Sequence, residues 1–196
     1  MIGEERGPAL ERVLRAATDA RGAGPLPWLA GPVAAADRVL DLACGTGPLA
    51  DALHPGTWLG VDPRPGTERP GLVRADPTAL PVRSRSVEAV GLLFLLPLLP
   101  DVDAVFAEVR RVLRPGGTLV VAVPSRTVRS AADLRLARVL RPVRRGAWPH
   151  RSACDQAGWL LAAADFAVVG DDRADFALPL PDAAAAHRAV ADLVRA

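Results

Sequence analysis

Between Arg38 and Ala50 the chain reads Arg-Val-Leu-Asp-Leu-Ala-Cys-Gly-Thr-Gly-Pro-Leu-Ala, an apolar strand that runs straight into a turn of small residues and then a helix. No other stretch restricts the fold as much. Small residues let a backbone approach a bound molecule closely, and glycine supplies dihedrals that a Cβ forbids. Pro48 stands where the first position of a helix needs no N–H. Such a helix N-terminus directs unpaired donors at a ligand.

Two kinds of ligand fit this turn. Gly45-Thr-Gly-Pro-Leu-Ala50 matches the dinucleotide fingerprint G-x-G-x-x-G/A, with Asp62 at a plausible distance for a ribose. Against it stands Asp41, an acid inside the strand before the turn, where its charge would face an incoming pyrophosphate. Asp41 suits a ligand that carries an ammonium group.

Periodicity supplies the frame around the turn. Near-continuous apolar runs at Val39–Leu42, Trp58–Val61, Leu72–Arg74, Val87–Phe94 and Thr118–Val123 predict strands of a parallel sheet covered on both faces. An amphipathic helix is expected over Pro8–Ala20, ended by Gly22–Pro27, and it is placed to cover a bound ligand. Further helices are expected at Pro48–Leu53, Asp101–Leu113, Thr127–Leu140, Arg151–Ala164 and Pro181–Arg195. Phe166–Gly170 and Ala174–Leu178 read as closing strands joined by Asp171-Asp172-Arg173.

Five motifs in order carry a resemblance. Val39-Leu-Asp-Leu-Ala-Cys-Gly-Thr-Gly47 is similar to the first motif of the class I S-adenosylmethionine-dependent methyltransferases, of the small-molecule, type 11 domain kind. Leu59-Gly-Val-Asp62 resembles the second strand with its ribose-binding acid, and Arg74-Ala-Asp-Pro-Thr-Ala-Leu-Pro-Val82 the stretch whose Asp reaches the adenine amino group. Ser86-Val-Glu-Ala-Val90 follows as the fourth strand, and Glu108–Val123 matches the helix, Pro-Gly-Gly turn and fifth strand.

The resemblance implies a Rossmann-like, doubly wound α/β fold: a mostly parallel seven-stranded sheet with helices on both faces and an antiparallel last strand. It implies one domain over 1–196, with a helical cover at 1–36, a cofactor-binding half at 37–124 and a substrate-side half at 125–196. S-adenosyl-L-methionine is the implied cofactor. Asp41 would pair with its amine, N–H groups around Ala43, Cys44, Gly45 and Gly47 with its carboxylate, Asp62 with the ribose and Asp76 with the adenine. Pro63 and Leu80 would sandwich the ring, and Leu93 would face the methionine part.

Three positions depart from the family. Ala43 replaces a glycine, a change that suits the turn only if its dihedrals are ordinary. Pro77 lacks an N–H the family uses on the ring, a net loss of about 0.5–1.5 kcal/mol. Leu92-Leu-Phe-Leu-Leu-Pro-Leu98 replaces a stretch where relatives place polar groups and paired histidines, so an apolar wall is expected there, fit for a hydrophobic acceptor or for a domain without catalysis.

No base stands out. His150, near Cys154 and Asp155, is the candidate for deprotonating an acceptor, while His54 and His187 read as surface residues and Cys44 as a small loop residue. Metal-ligand spacing is absent. The longest apolar run, Gly91–Leu99, is far short of the ~20 residues of a membrane helix, no signal peptide is recognisable, and Cys44 and Cys154 form no disulfide framework, so a cytoplasmic protein is expected. A net charge of +2 gives no reason to expect nucleic acid, although Arg126, Arg129, Arg135, Arg138, Arg141, Arg144, Arg145 and Arg151 crowd one segment. The leading expectation is a methyltransferase acting on a small, apolar acceptor. The alternatives are a non-catalytic binding or partner subunit, a nucleic-acid or protein methyltransferase, and a pocket completed by a homodimer or partner protein.

Overall fold

The computed structural model describes residues 6–125, 131, 134 and 153–195. The sheet forms from β1 (Val39–Leu42), β2 (Trp58–Asp62), β3 (Leu72–Arg74), β4 (Val87–Leu93) and β5 (Leu113–Ala122), in the spatial order β3-β2-β1-β4-β5 and parallel throughout. The order reverses direction between β1 and β4. At such a switch point the two connections leave on opposite faces and a crevice opens beyond the strands' carboxyl ends.

Strand alternation divides the core in two. Leu40, Leu42, Val61, Val90 and Leu92 face one side, where α3 (Val102–Val112) and α4 (Ala153–Ala163) cover them. On α3 the apolar residues Val105, Phe106, Val109 and Val112 recur at helical spacing and are buried, and Asp101 caps the helix by accepting from Ala104 N at 2.9 Å. Val39, Ala89 and Leu93 face the other side, with α1 (Arg6–Ala16), α2 (Pro25–Ala30) and the short 3-10 turn Pro48–Ala52. The last helix, α5 (Ala183–Arg195), packs on α1, where Arg12 pairs with Asp192.

Several expectations are corrected. Among the described residues the sheet has five strands, not seven, and no antiparallel last strand. Phe166–Gly170 and Ala174–Leu178 form no ladder; one antiparallel bridge, Thr18 with Ala177, is their share of strand pairing. An apolar run makes a strand only where a neighbour accepts it. Here Phe166 N bonds Leu161 O at 3.0 Å and its ring meets Phe106 edge-on, so the chain follows the end of α4, and Val168 and Val169 stand in solvent at 47% and 94% exposure. Gly22–Pro27 does not only end a helix: Pro25 opens α2, its missing N–H costing nothing at a first position. β5 starts at Leu113, directly after α3, so the Pro-Gly-Gly turn lies inside the strand as an irregularity beside β4, with Gly116 at φ +75°. The helix expected at Thr127–Leu140 lies outside the described residues.

Candidate functional site

Beyond the carboxyl end of β1 the backbone passes through three left-handed residues. Gly45 and Gly47 have φ of +60° and +73°, as a glycine turn allows. Ala43, at φ +48°, is also left-handed, so its dihedrals are not ordinary and the turn carries strain of about 1 kcal/mol where the family has glycine. Phe94, at the carboxyl end of β4, is a further left-handed residue at φ +57°. Of the four described non-glycine residues at positive φ, Ala43 and Phe94 follow the two strands that bracket the switch point, while Arg85 and Asp165 lie in turns elsewhere.

Two carboxylates, Asp41 and Asp62, are the buried charged side chains among the described residues, at 2% and 8% exposure. Asp62 binds the loop: its Oδ2 accepts from Gly45 N at 2.8 Å and its Oδ1 from Arg64 N at 2.7 Å. Asp41 accepts from Trp58 Nε1 at 3.1 Å. Burial raises the Asp41 carboxyl, the Trp58 N–H lowers it and the charge of Asp62 raises it, and the net of the three is about 7. Neither acid has an ion pair among the described residues.

Trp58 is the residue that sequence reasoning missed. Trp58, Gly60 and Asp62 alternate onto the face of β2 that Asp41 shares on β1, because Asp41 registers with Gly60. A Cβ on Gly60 would lie 2.4 Å from the indole, and one on Gly47 2.5 Å from it. These glycines therefore make room for Trp58, not for a ligand. Arg69 lies over the same ring, 5.4 Å from its centroid, donates to Gly47 O at 2.8 Å and pairs with Asp51. The signal for this was a tryptophan two residues before a glycine and four before an acid on one strand.

The first turn of α1 rests on the loop. Gly7 meets Gly45 backbone to backbone, so close that a Cβ on Gly7 would lie 2.8 Å from Gly45 Cα. α1 is tied down beside it by Arg15, which pairs with both Glu11 and Asp51. Burial raises Asp51, and Arg15 and Arg69 more than offset it. The Thr46 hydroxyl is buried in the same loop without a well-formed hydrogen bond, although Glu11 is close enough to feel it.

The remaining predicted residues separate. Asp76 is exposed, and its Oδ1 takes Thr78 N and Thr78 Oγ1 at 2.8 and 2.7 Å, the turn role an Asp readily fills; those two bonds hold its carboxyl below the usual range. Pro63 and Pro77 are half-buried. Leu80 is corrected: it packs in the core on the α3 side, its N–H donating to Glu108 Oε2 at 2.7 Å. Leu93 is buried among Leu14, Leu29 and Leu49. The expected apolar wall is corrected too, because Leu92, Leu95 and Leu96 are core residues and only Phe94 and Leu98 of that stretch reach solvent.

Cys44 is partly buried, and burial, then Asp41 and Asp62, push its thiol far up, so it stays protonated. His54 sits before β2, at the end of the sheet away from the crevice, and His187 is exposed on α5. His150 and the arginines at 126–151 lie outside the described residues. Among the described residues no cluster of His, Cys, Asp and Glu has the makings of a metal site, and no helix is long and apolar enough to cross a membrane.

Residues 40–121 match the family model described as a methyltransferase domain. The chain is 38% identical over 124 residues to a demethylmenaquinone methyltransferase of Beutenbergia cavernae, covering 58% of this chain and 48% of that one. It is 36% identical over 99 residues to a phthiotriol/phenolphthiotriol dimycocerosates methyltransferase of Mycobacterium leprae, covering 43% and 37%. It thus spans less than half the length of these curated relatives. A solved S-adenosylmethionine-dependent methyltransferase of Thermotoga maritima, titled a possible histamine N-methyltransferase, superposes with a TM-score of 0.59 at 18% identity, over 83% of this chain and 79% of that one, and shares the fold.

Proposed function

Residues 40–121 form a class I S-adenosylmethionine-dependent methyltransferase domain, and on that premise we propose that this chain binds the cofactor over β1 and β2 and passes its methyl group to a small, apolar acceptor. One observation carries the reading: two buried carboxylates flank a strained glycine loop and neither has a cationic partner among the described residues. A buried charge is costly until it is paired, so the loop suits a ligand that brings positive charge. The Thr46 hydroxyl, buried without a good partner, is a further donor for such a ligand.

When bound, S-adenosylmethionine supplies an electrophilic methyl group on a sulfonium. Asp41 would hold the amine as an ionised carboxylate. Asp62, already fixed by two N–H donors, has lone pairs left for the ribose hydroxyls. Asp76 would take the adenine amino group and Pro63 would pack on the ring. α1, resting on Gly45, would shut water out and must lift at its first turn to admit a ligand. Methyl transfer can proceed by holding an already nucleophilic atom of the acceptor in line with the sulfonium, and His150, the candidate base, lies outside the described residues. The apolar acceptor is supported by Phe94 and Leu98, the partly exposed members of an otherwise buried stretch without polar side chains.

Calorimetric titration of S-adenosylmethionine and of S-adenosylhomocysteine into the purified chain tests this reading. Binding in the micromolar range is expected, and no heat at high micromolar ligand would overturn it. A second reading, a non-catalytic partner subunit, is favoured by the Gly7–Gly45 contact over the loop. Transfer of a labelled methyl group to a demethylated quinone separates the two.

A further inference from the structure

We propose that Trp58 is a positioning residue for the cofactor amine: its indole N–H fixes the Asp41 carboxylate beneath the glycine loop, and its ring props the loop at Gly47. The inference rests on the cofactor reading above and deepens it. Its ground is a chain of contacts. The indole fills the hollow left by Gly47 and Gly60, with no room for a Cβ on either. Arg69 closes the hollow from outside, stacked on the ring and bonded to Gly47 O, and Asp51 and Arg15 anchor Arg69 to α1. The N–H is thereby aimed at Asp41 Oδ2 by the packing of Gly47, Gly60 and Arg69 against the ring of the part-buried Trp58.

Among the described residues the charged and titratable groups around Asp41 are few. Asp62 on β2 and the Cys44 thiol in the loop act on it or are acted on by it, and Arg69, Asp51, Glu11 and Arg15 lie farther out along the network. An ammonium ion pairs with the ionised carboxylate only. Burial and Asp62 favour the neutral acid, and the Trp58 N–H is the one described hydrogen bond that favours the ion. Removing it from a ring that otherwise stays in place should raise the pH at which the site becomes competent.

The test is titration of S-adenosylhomocysteine into the wild-type chain and W58F from about pH 6 to about pH 9. Phenylalanine keeps an aromatic ring in the hollow and deletes the donor; it also lacks the Cζ2–Cη2 edge that meets Gly47 and Gly60, a loss of packing that does not vary with pH. The midpoint of the affinity profile should move up by about one pH unit, which makes W58F about fivefold weaker near pH 7 and within twofold of wild type near pH 9. The ligand's own amine titrates alike in both, so the ratio of affinities isolates Asp41. A ratio that stays constant with pH would mean that Trp58 only fills space, and the inference fails while the cofactor reading stands. No binding to wild type at any pH topples both.

Should W58F not fold, the wild-type chain labelled with 5-fluorotryptophan decides. One fluorine resonance should titrate with the midpoint of the affinity profile and should stop doing so in D41N. If no tryptophan resonance follows that midpoint, the inference is refuted.

Discussion

The carboxyl ends of β1–β2 and of β4 border the same crevice and are built on opposite principles. Beyond β1 and β2 stand two buried acids, an indole that donates to one of them, a guanidinium stacked on that indole, and a loop threaded through left-handed residues. At the end of β4 and beyond it the chain turns apolar side chains inward, and Leu92, Leu95, Leu96 and Leu99 are buried to 2% exposure or less. Thus one side holds charge and the other holds the fold. On the cofactor reading the first wall would grip that ligand while most of the second wall packs, so cofactor binding and stability should respond to different residues.

The widest separation is expected from Phe106→Ala, which empties the side of the core that covers β4. It should lower the unfolding free energy by ~3–5 kcal/mol in chemical denaturation, with the cofactor affinity of the folded fraction unchanged. A parallel loss of affinity would break the comparison. Asp62→Ala should do the reverse. The anchor of Gly45 is lost together with the ribose contacts proposed above, so calorimetry should show affinity about a hundredfold weaker.

Asp41 sharpens the contrast through pH. Its carboxyl is raised from 3.8 to about 7 in the folded chain, so the folded state binds a proton the unfolded state has released. The stability this lends is full below about pH 4 and disappears as pH rises through about 7. Urea melts of the ligand-free protein should lose roughly 4 kcal/mol across that window, and D41N should remove that slope. The smallest effect belongs to Ala43→Gly. Relief of a left-handed alanine is partly offset by a freer unfolded chain, leaving a rise of about 0.5–1 kcal/mol, read as a shift in midpoint.

The sequence disclosed what local pattern encodes. The central strands β1 and β4 announce themselves because a strand buried on both faces is apolar at nearly every position, and Asp41, Asp62 and the glycine turn stand out against that background. Partners across the chain are another matter. The apolar runs at Phe166–Gly170 and Ala174–Leu178 do not name a neighbour, and the chain spends Phe166 on Phe106 instead. Leucine in Leu92–Leu98 reads the same whether it lines a cavity or fills a core, and burial alone decides. Ala43 shows that a small residue in a known turn need not have relaxed dihedrals. Gly47 looked like space reserved for a ligand, and the space belongs to an indole eleven positions later in the chain.

That shared hollow ties three positions into one inherited unit. A descendant in which the indole at 58 shrinks to an aliphatic group no longer needs bare backbone at 47 or 60 on its account, whereas a descendant that keeps the indole cannot accept so much as a methyl at either. Drift at these sites should therefore run in step, and a chain engineered at one of them alone inherits a clash or a void.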